Sequence, residues 1–111
     1  MRIIDTGITK EMLSGDNHPQ LKIGDKLYTV DDRQKTWEKI QEIQSNKTLA
    51  EKERTSKIYE LALGKEASDE INNLDLPVSS ATHLSYCIMG AIIGENPDEL
   101  EKQAKEQMRK N

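Results

Sequence analysis

Apolar positions in this chain fall into short groups whose spacing changes along its length. Leu21 and Ile23 alternate with polar neighbours, as do Tyr28 and Val30, and Gly24-Asp25 separates the two runs. A period of two predicts a small β-hairpin over residues 20–30, with Gly24 supplying the positive φ that a tight turn needs. A lone hairpin is marginal in water, so it has to pack on something. Beyond it the period lengthens to three and four. Trp37, Ile40 and Ile43 form one helical stripe that frays at Gln44-Ser45-Asn46-Lys47. Ile58, Leu61 and Ala62 form a second, with Tyr59 and Leu63 beside it and Gly64 as a natural stop. Ala67, Ile71 and Leu74 mark a short third helix, broken at Leu76-Pro77-Val78 because proline disfavours helix in the residue before it.

The strongest signal follows. Leu84, Cys87, Ile88, Ala91 and Ile92 recur at i, i+3, i+4, i+7 and i+8, while Tyr86, Met89 and Ile93 add a second face. Such a helix is central to a fold or to an assembly. Burying five or six of its side chains is worth roughly 10 kcal/mol before entropy. It stops at Gly94, and Asn96-Pro97-Asp98-Glu99 opens another helix with an N-cap, a proline at the first helical position and two acids in the first turn. On that last helix Leu100, Ala104 and Met108 repeat every four residues, and Lys105, Arg109 and Lys110 favour its C-terminal end. Three other caps are expected: Asp31-Asp32 before the first long helix, Thr48 with Glu51 as a capping box before the second, and Ser79 or Ser80 before the apolar one.

These elements predict a mainly α fold, α+β by strict count. Residues 1–19 form an N-terminal arm or loop, turn-rich after Ile3-Ile4, in which Ile8, Met12 and Leu13 make one short helical turn. Residues 20–111 form a single helical domain that opens with the hairpin and continues as a compact bundle of about five short helices.

Composition narrows the function more than the fold. The chain has 111 residues, 34% hydrophobic and 32% charged, with no Phe, so its core is modest and apolar surface shared with a partner would help it. The net charge of −4 comes from interspersed acids and bases, without the basic face of a nucleic-acid binder. Residues 84–93 span about 15 Å of helix, half a bilayer core, so no membrane partner is expected. The N-terminus lacks the apolar core of a signal peptide, and the single Cys87 rules out an internal disulfide and suits a reducing cytoplasm.

Candidate chemistry is thin. His83 and Cys87 stand at i and i+4, but a zinc site needs three or four ligands, and the other histidine, His18, is in a distant loop. As a nucleophile Cys87 would need an exposed, electropositive site, yet its neighbours are Tyr86, Ile88 and Ile92. Asp31-Asp32 and Asp98-Glu99 are explained as helix-start acids. In Gly90-x-x-x-Gly94 the second glycine reads as a C-cap, and the first offers room for a close helix approach. Trp37 reads as a core anchor between the first long helix and the hairpin. No enzyme, cofactor or metal is expected.

Three stretches together resemble a family. Ile23-Gly24-Asp25-Lys26-Leu27-Tyr28-Thr29-Val30-Asp31-Asp32 leads into a helix. Leu61-Ala62-Leu63-Gly64-Lys65-Glu66-Ala67 leads to Leu74-Asp75-Leu76-Pro77-Val78. Ile88-Met89-Gly90-Ala91-Ile92-Ile93-Gly94-Glu95-Asn96-Pro97-Asp98-Glu99-Leu100 follows. Over residues 20–110 this order resembles the small tail assembly chaperones of long-tailed phages and prophages of Gram-positive bacteria. The resemblance implies a non-enzymatic protein that binds the tape measure protein and keeps it soluble during tail-tube assembly. It implies residence in the cytoplasm of the bacterial host, absence from the mature virion and a tendency to homo-oligomerise. Members commonly have a longer, frameshifted form, to which this chain would be the short one.

The seam formed by Ile88, Ile92 and Ile93 with Leu100, Ala104 and Met108 is the candidate partner-binding site, serving either self-assembly or the client. Two other readings stand beside it. A small helical transcription regulator would use Arg33, Lys35, Lys39 and Gln41, although acids interleave with them. A structural virion part, such as a head–tail connector subunit, would be found in purified virions.

Overall fold

A computed structural model describes residues 2–14 and 17–110, with residues 108–110 described as backbone only. The chain is mainly helical, with a two-stranded antiparallel hairpin near its start. Its elements are α1 (Lys10–Ser14), β1 (Gln20–Ile23), β2 (Lys26–Thr29), α2 (Gln34–Ser45), α3 (Glu51–Leu63), α4 (Lys65–Leu74), α5 (Val78–Ile93) and α6 (Pro97–Lys110). The expected arm, hairpin and five-helix bundle are all present, and α1 is the short turn foreseen in the arm.

The hairpin forms where the period of two placed it. Gly24 takes φ 61° at the first of two loop residues, a conformation that costs an L side chain and not glycine. Register pairs Leu21 with Tyr28 and Ile23 with Lys26. Directly opposed residues share a face, so Leu21, Ile23 and Tyr28 lie together against the helices. Leu27 falls on the other face and is exposed. Two backbone bonds fix the hairpin's base: the Val30 N–H donates to the Pro19 carbonyl at 2.8 Å, and the Asp31 N–H to the Ala62 carbonyl at 2.8 Å. The second reaches the end of α3.

The core joins Tyr28, Ile40, Tyr59, Ala62, Ile71, Leu84 and Ile88, and so draws on the hairpin and α2 to α5. Trp37 packs against it half-buried, as an anchor should. Consecutive helices are neighbours: α2 with α3, α3 with α4, and α5 with α6. The α3–α4 corner needs one residue, Gly64, at φ 93°. Ser68 is buried on α4 and satisfies its hydroxyl by donating to the Ser56 carbonyl of α3 at 3.4 Å. Asp75 ends α4 in the left-handed region, φ 50°, and Pro77 starts α5 directly.

Three expected caps are corrected. Thr48 gives both its N–H and its hydroxyl to Asn46 Oδ1, so the local turn occupies it. Helix α3 begins after Ala50, and Glu51 becomes its first residue. Ser79 and Ser80 lie inside the first turn of α5, whose N-cap is Pro77. The N-cap of α2 is Arg33, and neither Asp31 nor Asp32 takes that position. Asp32 pairs with the His18 ring. Asp31 instead organises the approach to α2: it accepts from the Arg33 N–H at 3.2 Å, from Arg33 Nε at 2.9 Å and Nη2 at 2.8 Å, and from the Thr36 hydroxyl at 2.8 Å.

The Arg33 guanidinium, helped by Thr36, holds the Asp31 carboxyl well below the usual carboxylate range. A depressed folded-state pKa contributes stability that is complete above the unfolded value and is lost as pH falls through the folded one. Asp31→Asn should therefore lower unfolding free energy by about 1–3 kcal/mol at pH 7. The penalty should shrink below roughly pH 4, where the unfolded aspartate is protonated. Urea titrations of both proteins at pH 7 and pH 2.5 measure it; a penalty that does not change with pH would contradict this role for Asp31.

Candidate partner-binding surfaces

The α5–α6 unit is held by its turn. Gly94 sits at φ 75° and ψ 28°, the left-handed C-cap the sequence suggested. The N–H groups of Gly94 and Glu95 both donate to the Gly90 carbonyl, at 2.8 and 3.0 Å. Asn96 Oδ1 then accepts from the Asp98 N–H at 2.8 Å and from Glu99 at 3.4 Å, the expected N-cap of α6. The chain doubles back so tightly that a Cβ on Gly90 would lie 2.6 Å from the Glu95 carbonyl oxygen and 3.2 Å from Pro97 Cγ. The close approach at Gly90 is thus to the following turn and the root of α6. Farther along, His83 Nδ1 meets Glu101 Oε2 at 2.9 Å, and Lys105 approaches Glu101 at 3.6 Å. The histidine contact holds the Glu101 carboxyl below its ordinary pKa.

The six seam residues therefore divide. Ile88 is 1% exposed and belongs to the core. Ile92 packs against that core half-buried, and Ile93 is exposed. Leu100 and Ala104 are half-buried on α6, which packs on α5. The Met108 side chain lies outside the described residues, as do those of Arg109 and Lys110. Much of the seam is an internal joint, with Ile93 as its outward edge.

Elsewhere the surface has a concavity that periodicity did not single out. A cleft of about 390 Å³ lies between the end of α2, the first half of α3 and the middle of α5. Tyr59, Ile58 and Met89 line it as apolar surface, with Tyr59 buried and the other two half-buried. Gln44 and Glu51 stand exposed at its edge, with Arg54 half-buried beside them. Gln44 Nε2 lies 3.8 Å from Met89 Sδ, which closes one side. Burial pushes the Tyr59 hydroxyl above its usual pKa, with the nearby Ser85 hydroxyl acting in the opposite direction. A sequence signal existed in Glu51, Thr55, Ile58 and Tyr59 at helical spacing; Met89 had no local cue to its place opposite them.

A second depression lies beside the hairpin turn, where Ile23 and Tyr28 meet Leu74 at the end of α4. Its wall is a small charge network. Lys26 Nζ donates to both Glu70 oxygens at 2.7 and 2.6 Å, and the Tyr28 hydroxyl to Glu70 Oε2 at 3.0 Å. These contacts hold Glu70 below the ordinary carboxylate pKa. Among the described residues no group of three or more His, Cys, Asp and Glu is placed to hold a metal ion, and His83 is engaged by Glu101. No helix among them is long and apolar enough to cross a membrane.

Gly90 gives a test in which two effects have opposite signs. In an ordinary helix interior Gly→Ala stabilises by about 0.5–1 kcal/mol. At Gly90 the new methyl meets backbone at 2.6 Å, and overpacking of that kind costs about 1–3 kcal/mol. Gly90→Ala should thus be destabilising by about 1–2 kcal/mol, measured by urea unfolding. A stabilised variant would show that α6 does not fold back over this position.

Comparison with family models, curated proteins and solved structures yields no match to this chain, so the functional reading rests on its own residues.

Proposed function

We propose that this chain is a non-enzymatic tail assembly chaperone of a long-tailed phage or prophage, which binds the tape measure protein and keeps it soluble while the tail tube polymerises. It would act in the host cytoplasm and be absent from the finished virion. The family wording at residues 23–32, 61–78 and 88–100 supports this reading. The observation that carries it is the cleft of Ile58, Tyr59 and Met89, edged by Gln44, Glu51 and Arg54. A tape measure protein is a long helical chain whose apolar stripes are exposed until it is packaged. An apolar floor with a polar, mixed-charge rim suits one turn of such a stripe: it covers the apolar side chains and leaves the charged flank in water. Several copies along one client would sum weak contacts.

Met89→Glu places a charge on that floor at a half-buried position, where the fold can absorb it. In co-expression with the tape measure protein from the same tail operon, the wild-type chain should co-purify with the client and suppress its light scattering. Met89→Glu should weaken the complex by about tenfold or more, because a charge in a desolvated contact is not compensated. Unchanged helical circular dichroism would show that the variant is folded. A wild-type chain that neither co-purifies nor reduces scattering would overturn the proposal, and recovery of the chain from purified virions would make it a structural part.

A further inference from the structure

Helix α5 has two faces, and the fold uses them differently. Leu84, Ile88 and Ile92 turn to the core, where the hairpin and α2 to α4 cover them. His83, Cys87 and Ala91 recur every four residues on the neighbouring stripe and lie outside that cluster. What covers this stripe is α6. Burial and the nearby Asp98 and Glu101 carboxylates push the Cys87 thiol up. His83 Nδ1 meets Glu101 Oε2 at 2.9 Å, and Pro97 closes over Gly90.

Helix α6 makes this contact with one side. Pro97, Leu100, Glu101 and Ala104 are half-buried, and the positions between them are exposed. No described side chain of α6 belongs to the core cluster or to the residues packed against it. Lifting α6 would therefore leave that core closed and uncover a helix face already shaped for another helix.

We infer that this face of α5 is a docking site for an amphipathic helix of a partner protein, and that α6 occupies it in cis until such a helix displaces it. The occupant specifies the chemistry of its replacement. The partner helix carries a large apolar residue in the place of Leu100, a carboxylate beside it to meet His83 as Glu101 does, and a small residue one turn on, where Ala104 lies. A second copy is the poorer occupant. Only Gly94 to Asn96 connect α5 to α6, about 10 Å of extended chain. Pro97 prevents the two helices from fusing into one long helix that could reach across. The site is distinct from the cleft of Ile58, Tyr59 and Met89, and testing it needs no tape measure protein.

A fluorescein-labelled peptide of residues 95–110 serves as the partner helix, with full-length chains as receptors and fluorescence anisotropy as the readout. In the wild type the cis helix competes, so apparent affinity is reduced by the fraction of time the face is open. Leu100→Glu in the chain spoils only its own α6, and this chain should bind the wild-type peptide at least tenfold more tightly than the wild-type chain does. Glu101→Gln, a milder change that weakens the His83 contact, should shift affinity in the same direction by a smaller factor. A peptide carrying Leu100→Glu should bind none of the chains. Far-UV circular dichroism should lose no more helix than α6 itself holds; if Leu100→Glu unfolds, the Glu101→Gln comparison decides alone. Absence of binding, equal affinity for all folded chains, or an altered peptide that binds as well as the wild-type one would overturn the site. If unlabelled wild-type chain displaces the peptide from Leu100→Glu, the occupant is a second copy and the partner helix is ruled out.

Discussion

Leu84 and Ile88 lie one turn apart on α5, and the cluster that buries them draws on four other places: Tyr28 of the hairpin, Ile40 of α2, Tyr59 and Ala62 of α3, and Ile71 of α4. Removing these two side chains from water contributes about 3–6 kcal/mol, a large share of the net stability of about 5–15 kcal/mol typical of a small domain. The chain has no Phe and few aromatics to spread that load. The hairpin and α2 to α4 are therefore placed by what they cover on α5. The hairpin is not stable alone, and it persists because Leu21, Ile23 and Tyr28 pack into this cluster.

Polar contacts refine that arrangement without creating it. Lys26, Tyr28 and Glu70 tie the hairpin to α4, and His83 with Glu101 ties α5 to α6. The charged partners are partly exposed, where ion pairs contribute little to stability. Their effect is orientational: they choose one of several nearly equal ways to lean a short element on its neighbour. Asp31 differs because it satisfies a backbone N–H, a guanidinium and a hydroxyl together, so one carboxylate fixes the entry into α2.

Where a feature depends on neighbours in sequence, the residues announced it. Gly24 marked the hairpin turn, Gly64 and Gly94 marked helix ends, and Asn96-Pro97 marked the start of α6. The caps that misled were those with competing partners nearby. Thr48 had Asn46 within reach, and Ser79 and Ser80 followed a proline already suited to begin the helix. The division of α5 into core and surface was not legible, because Ile88, Ile92 and Ile93 are chemically alike and only the placement of α2 to α4 decides which are covered. For the same reason only the α3 wall of the cleft had a signal in the sequence: Ile58 and Met89 belong to helices whose juxtaposition is set by the whole core.

The contact of β1 with α5 joins an early strand to a late helix. Neighbouring helices pair locally and form quickly, whereas a contact of long sequence separation must wait for loop closure. During synthesis at about 5–20 residues per second, the hairpin emerges seconds before α5 and has no surface to close on. The apolar inner face of the hairpin thus stays unsheltered until the segment ending at Ile93 has left the ribosome. Among its described residues α6 contributes no buried side chain to the core cluster, and it follows afterwards. Ribosomal pausing within α5 would therefore prolong the interval in which the hairpin's apolar face has nothing to pack against.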